Sequence, residues 1–117
     1  MIRFYGYKKC DGCRKAMKTL DAAGVAYEFI DVTEQAPTIA ELQAALTAGI
    51  PLNKLFNVSG QEYRTRNLKA WLPEATEQEA LQLLAETGRL VKRPFVIDGG
   101  RVTVGYKVDA FAEAWLG

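Results

Sequence analysis

The stretch Ile2-Arg3-Phe4-Tyr5-Gly6-Tyr7-Lys8-Lys9-Cys10-Asp11-Gly12-Cys13 contains the change of period that decides the architecture. Residues Ile2 to Tyr7 mix β-branched and aromatic types around a Gly6 break, the pattern of a short strand. From Asp11 to Ala23 the apolar or small residues Cys13, Ala16, Met17, Leu20 and Ala23 recur at helical spacing. Lys15, Lys18 and Asp21 take the opposite face, and Gly24 is placed as a stop. The strand therefore delivers the chain to a helix at the two cysteines. Ala26 to Val32 reads as a second, largely buried strand. A helix joining two strands as a right-handed crossover lets them lie parallel, which makes a βαβ unit.

Beyond this unit the pattern turns helical. Thr38 followed three residues later by Glu41 is a capping box, and Ile39, Leu42, Ala45 and Leu46 supply an apolar face that Gly49 and Pro51 end. Leu52 to Leu72 is less periodic and reads as loops and short helices. Thr76 with Glu79 opens another capped helix carrying Ala80, Leu83 and Leu84, with Gly88 as its stop. Phe95 to Ile97, Asp98-Gly99-Gly100 and Arg101 to Val104 form a hairpin signal, and Val108 to Leu116 a closing helix. The order is βαβ, a helical insertion over about residues 36–89, then ββα. This is the order of a thioredoxin-like α/β fold with a central mixed four-stranded sheet, read here as one domain over residues 1–117.

Composition narrows the chemistry. A formal net charge of +1, from 15 basic and 14 acidic residues, gives no large single-sign field, and no basic stripe marks a nucleic-acid surface. No apolar run approaches the roughly 20 residues of a membrane span. The strand-like start has no charged and then apolar leader pattern, so a cytoplasmic protein is expected, without direct nucleic-acid or membrane binding and monomeric. The chain has no histidine. That removes the commonest general base, the commonest metal ligand and any Cys-His dyad, leaving cysteine or lysine for nucleophilic chemistry. Two cysteines permit one intrachain bridge at most.

A C-x-x-C on a strand-to-helix turn has a mechanism. At the helix start, unpaired backbone N–H groups and the positive end of the macrodipole favour a thiolate at Cys10, and Lys8, Lys9 and Arg14 add positive charge. Cys13 lies one turn along the same face, close enough to resolve a mixed disulfide formed at Cys10. Two other readings of the pair stay open. The thiols could be inert core residues, or half of a four-thiolate zinc site shared across a dimer. A metal site within one chain is poorly supplied, with two sulfurs and no imidazole, so no bound metal is expected.

Arg93-Pro94 is the second constellation. In the thioredoxin layout the residues entering the third strand face the cysteine pair. Arg93 would set a cation beside the thiolate, and Pro94 would offer backbone groups to an extended peptide or tripeptide thiol. The alternative is a proline that merely opens an edge strand, beside a solvated arginine. Asn57-Val58-Ser59-Gly60 reads first as a turn whose amide could line the site. Arg64, with Tyr63 and Arg66, could reach an oxyanion or carboxylate or stay on the surface. Trp71 and Trp115 read as apolar packing residues.

Together these residues resemble the arsenate-reductase-like family, the ArsC/Spx group of the thioredoxin fold. The resemblance rests on Tyr5 to Ala16, on Lys54 to Arg64, on Leu90-Val91-Lys92-Arg93-Pro94 and on Val104-Gly105-Tyr106, in family order across nearly the whole chain. It implies Cys10 as nucleophile, Cys13 as resolving thiol and Arg93 as the anion-contacting arginine of the family's R-P motif. It also implies a thiol-disulfide oxidoreductase with no bound cofactor, a small thiol or disulfide substrate, and glutathione or thioredoxin as electron donor. Lys8, Lys9, Asn57 and Arg93 could meet the carboxylates of glutathione. Arsenate-reducing members carry further arginines around the nucleophile. Here one such position holds Asn57 and another falls near Gly105, so arsenate is the less expected substrate. The Spx-type branch implies the other class of function, a redox-switched regulator that binds RNA polymerase.

Overall fold

The computed structural model describes residues 1–117. Its strands β1 (Ile2–Gly6), β2 (Tyr27–Asp31), β3 (Phe95–Asp98) and β4 (Arg101–Val104) form one sheet in the order β2-β1-β3-β4. β1 runs parallel to β2, with Phe4 opposite Phe29, and antiparallel to β3, with Phe4 opposite Val96. β3 and β4 close an antiparallel hairpin at Gly99-Gly100, where Gly99 has φ +63. The mixed four-stranded sheet and the element order are those expected from the sequence.

Alternation along the strands makes two apolar layers. On one face Ile2, Phe4 and Val96 pack with Cys13, Ala16 and Leu20 of α1 (Asp11–Ala22) and with Phe111 and Trp115 of α6 (Val108–Trp115). On the other, Tyr5, Phe95 and Ile97 meet Leu42 and Ala45 of α2 (Ile39–Thr47) and Leu81 and Leu84 of α5 (Glu77–Glu86). Each large side chain buried in these layers contributes about 1.5–3 kcal/mol of transfer free energy. Cys13 therefore belongs to the core that fixes α1 against the sheet.

The helices begin and end where the sequence places the signals. Glu41 N–H donates to Thr38 Oγ1 at 3.1 Å while Glu41 Oε1 accepts from Thr38 N–H at 3.0 Å, and Thr76 with Glu79 repeats the arrangement. Past α1, Gly24 (φ +70) donates to the Asp21 carbonyl and Val25 to that of Leu20, which is a Schellman closure. Gly49 (φ +98) does the same for α2. Gly88 differs from expectation: α5 ends at Glu86, and Gly88 opens a 3₁₀ turn over Gly88–Leu90. A Cβ there would lie 1.7 Å from the Val32 carbonyl oxygen, so close backbone approach requires this glycine.

Between β2 and β3 the chain is helical. α2 is followed by a 3₁₀ turn (Leu52–Leu55), by α3 (Gln61–Thr65) and α4 (Leu68–Trp71), and then by α5. This segment is stitched to the approach to β3. Phe56 bridges Val91, Asn57 N–H donates to the Leu90 carbonyl at 2.7 Å, and Lys92 N–H donates to the Leu55 carbonyl at 2.8 Å. The stitch carries Asn57 and Lys54 to the end of the sheet where the cysteines lie. No helix is long and apolar enough to cross a membrane.

Candidate active site

Cys10 is the N-cap of α1, with extended backbone (φ −92, ψ 121), and its Sγ accepts the Cys13 N–H at 3.3 Å. A capping side chain normally supplies an oxygen for this orphan donor; here a sulfur does so. The donor and the positive end of the helix both point at that sulfur. Cys10 is half-buried and Cys13 fully buried, and both are free thiols. Burial pushes the Cys13 thiol well up, and its hydrogen bond to Cys10 adds to the shift, while the Tyr7 N–H and the Arg93 charge oppose it. Cys13 is therefore held as the protonated thiol.

Arg93 is half-buried beside both sulfurs. Its Nε donates to the Val91 carbonyl at 3.3 Å and its Nη2 to the Arg89 carbonyl at 2.8 Å, and its Cζ stands 5.9 Å from the centre of the Tyr7 ring. Desolvation lowers its proton affinity, while Cys10 and then Cys13 pull it back up. The guanidinium is thus aimed by backbone carbonyls and makes no ion pair with a carboxylate. The Arg93–Pro94 peptide bond is cis, and the buried Pro94 lies against the first turn of α1, its Cδ 3.8 Å from where a Gly12 Cβ would stand.

Two clefts are lined by Arg93 and by its neighbour Lys92. One, of about 370 Å³, has no hydrophobic residue in its wall; Asn57, Gln61, Glu62, Thr65, Arg89 and Arg93 line it. The other, of about 450 Å³, is lined by Lys54, Lys92, Lys107 and Tyr106 over Ile50 and Val104. Tyr106 bounds the cysteine turn from that side. Its Cβ is 3.7 Å from the position of a Gly12 Cβ, itself 4.0 Å from Cys10 Sγ, and its hydroxyl bonds Thr19 Oγ1 at 2.9 Å.

Of the residues singled out from the sequence, the fold brings together Cys10, Cys13, Arg93 and Pro94, with Asn57 in the wall of the cleft that Arg93 enters. Lys8 and Lys9 sit exposed on the turn before Cys10 and line neither cleft. Arg64 points elsewhere, into a separate shallow cavity with Tyr63 and Asn67. The sequence reading passed over Arg89 and gave no role to Lys54, Lys92, Lys107 or Tyr106. The available signal was an arginine four residues before Arg93 and a lysine next to it in extended chain, where successive side chains point to opposite sides.

A family model described as the ArsC family matches residues 5–114. The chain belongs to the ArsC family. Its relatives include an uncharacterised Bacillus subtilis protein, YusI, 47% identical over 97% of this chain and 98% of its own length. The regulatory protein MgsR of B. subtilis is 31% identical, covering 90% and 82% of the two chains. Among solved structures, a Staphylococcus aureus protein shares 45% identity and a TM-score of 0.88 over the whole of both chains. An ArsC-family-related protein from Bacteroides fragilis shares 37% identity at a TM-score of 0.90, over 97% and 96% of the two chains. The thioredoxin-like fold of the ArsC and Spx group is thus that of this chain, and a thiol oxidoreductase or an Spx-type regulator is the range of function the family spans. No group of three or more Cys, Asp or Glu side chains is placed to hold a metal ion.

Proposed function

We propose that this ArsC-family protein is a cytoplasmic, monomeric thiol-disulfide oxidoreductase in which Cys10 attacks and Cys13 resolves, with glutathione or thioredoxin supplying electrons. The observation that carries this reading is the asymmetry of the two sulfurs. Cys10 is reachable and receives a backbone N–H at the head of α1, while Cys13 is buried with its thiol pushed toward the protonated form. The Cys10 thiolate attacks one sulfur of a disulfide, forming a mixed disulfide and releasing a thiolate that takes a proton from solvent. Cys13 then gives up its proton and attacks the Cys10 sulfur, releasing the second thiol and leaving the Cys10–Cys13 disulfide for the donor to reduce. Arg93, held by two carbonyls, stabilises the anionic sulfurs in both exchanges.

The steady-state test is reduction of a glutathione mixed disulfide with glutathione or thioredoxin as donor. Multiple turnover that disappears in Cys10→Ser supports an enzyme; one stoichiometric oxidation without turnover overturns it. The latter outcome fits the second reading, a redox switch acting through RNA polymerase, which the 31% identity to MgsR and to a global transcriptional regulator Spx 2 of Oceanobacillus iheyensis favours. Arsenate is the weaker substrate, since arsenate-reducing members resemble one another in carrying arginines at a position held here by Asn57 and at another that falls near Gly105.

A further inference from the structure

Three shallow cavities adjoin along the face made by the end of β4, the Leu52–Leu55 turn and the corner between α3 and α4. The first, of about 450 Å³, is the cleft of Lys54, Lys92 and Lys107. Lys54 and Lys92 also wall the second, of about 240 Å³, together with Val58. Val58 is shared in turn with the third, of about 260 Å³, which Arg64, Asn67 and Lys69 complete. None of the three is lined by Cys10, Cys13, Arg93 or Pro94, so this face lies outside the cysteine site.

Its charge is one-sided. Five of the chain's 15 basic residues line these cavities and none of its 14 acidic residues does. None of the five takes part in an ion pair. Of the acids nearest in sequence to Arg64 and Lys107, Glu62 pairs with Arg66 at 2.9 Å, and Asp109, in the first turn of α6, lines none of the cavities. Backbone geometry fixes the grouping. Lys92 N–H donates to the Leu55 carbonyl at 2.8 Å, which sets Lys92 beside Lys54, and Asn67, at φ 52, turns the chain so that Arg64 and Lys69 share one cavity.

The apolar groups decide what kind of polymer fits. Val58 is 54% exposed where the second and third cavities meet, and half-buried Ile50 and Val104 line the first. The tyrosine rings are packed against other rings rather than left as stacking platforms: Tyr106 on Phe111, 5.2 Å between centroids, and Tyr63 on the buried Phe56 at 6.2 Å. Nucleic-acid bases would find nothing to stack on, whereas exposed apolar surface rimmed by cations suits a polypeptide. We infer that this strip docks an acidic segment of a partner protein. The segment's carboxylates meet the five cations, and its apolar side chains cover Val58 and enter the cleft over Ile50 and Val104. Grouped cations without counter-charges repel one another, and such a segment relieves that repulsion. The inference does not depend on what the cysteines do.

The test is fluorescence anisotropy of the reduced full-length protein with a fluorescein-labelled peptide of repeated Glu-Leu-Glu-Ser. Saturable binding that weakens as salt is raised is expected, with roughly tenfold or more lost when glutamine replaces glutamate in the peptide. Serine in place of its leucine should weaken binding several-fold. Lys54→Glu/Lys69→Glu should weaken it roughly tenfold or more, whereas Lys15→Glu/Lys18→Glu, an equal change of net charge on the outer face of α1, should change it less than about twofold. All four lysines are exposed, so both variants keep the core. Cys10→Ser should bind as the parent does. Equal affinity for the glutamate and glutamine peptides, an equal loss in the two double variants, or loss of binding in Cys10→Ser would overturn the inference. So would tighter binding of an oligothymidylate of the same charge, which would make this a nucleic-acid surface.

Discussion

The Cys13 N–H meets the Cys10 sulfur at 3.3 Å, so the buried Cys13 caps its partner's sulfur through the backbone while its own side chain stays in the core. The two roles come from one helical turn. The N-cap position exposes Cys10 to solvent and to orphan donors, and the third residue of that turn is already on the buried face of α1.

The reactivities of the two thiols therefore separate. In Cys13→Ser, Cys10 should alkylate readily at neutral pH and accumulate mixed disulfides, since nothing resolves them. In Cys10→Ser, Cys13 should react at least about a hundredfold more slowly at neutral pH and accelerate only as the pH rises above the ordinary thiol range, because its raised pKa keeps it protonated. Mass spectrometry of iodoacetamide-treated variants across pH reads this directly. Equal rates at neutral pH would contradict the assignment.

Arg93 acts through placement as well as charge. Its Nε and Nη2 are tied to the Val91 and Arg89 carbonyls, a fork that an ammonium does not reproduce. Arg93→Lys should therefore lose most of what Arg93→Gln loses, about fivefold in the rate of Cys10 oxidation for a contact worth about 1 kcal/mol. Stopped-flow oxidation of the two variants distinguishes this from a pure charge effect, in which lysine would restore the rate.

The parts of the fold that were legible in the sequence are those fixed by local rules. The change of period at Cys10, the two capping boxes, the Gly24 and Gly49 closures and the Gly99-Gly100 hairpin each depend on a few adjacent residues. The cysteine pair and Arg93-Pro94 were legible as motifs. Arg89 and the lysine cleft were not, because they are assembled by the Phe56–Val91 bridge and the bonds around it, which join segments 35 residues apart by no local signal. Gly88 shows the same limit: its position after a helix suggested a stop, whereas its cause is the Val32 carbonyl from a distant part of the chain.

That contact makes Gly88 a stability determinant. Gly88→Ala puts a methyl 1.7 Å from the Val32 oxygen, so backbone must move, at an expected cost of about 2–4 kcal/mol. Gly100→Ala meets nothing within 4 Å and has no positive φ, and should be neutral or stabilise by up to about 1 kcal/mol. Denaturant midpoints of the two variants against the parent give the comparison.

Glu41 joins local and tertiary structure in one side chain. Its Oε1 closes the Thr38 box and accepts the buried Tyr5 hydroxyl at 2.6 Å, while Oε2 pairs with Arg3 at 3.4 Å. Tyr5→Phe removes one of these bonds and should cost about 1 kcal/mol. Glu41→Ala removes all of them and leaves Arg3, whose Nε is already buried without a partner, beside an unpaired phenol. A loss of about 2–3 kcal/mol is expected, larger than the roughly 1 kcal/mol of Thr38→Ala. A Glu41→Ala loss no greater than that of Thr38→Ala would show that the cap alone matters.

Gly12 sets stability and access against each other. It lies in the first turn of α1 between the cysteines, and an added Cβ would stand 3.7 Å from Tyr106 Cβ, 3.8 Å from Pro94 Cδ and 4.0 Å from Cys10 Sγ. These are ordinary contact distances, so Gly12→Ala fits without repacking, and alanine's helix preference should raise stability by about 0.5 kcal/mol. The same methyl covers the flank of the Cys10 sulfur that faces Tyr106. Small alkylating agents should be little affected, while a bulky disulfide such as oxidised glutathione should react several-fold more slowly if it approaches across that flank. If glutathione and iodoacetamide rates fall together, the methyl perturbs the Cys10 sulfur itself; if neither falls, substrate does not approach Cys10 across that flank.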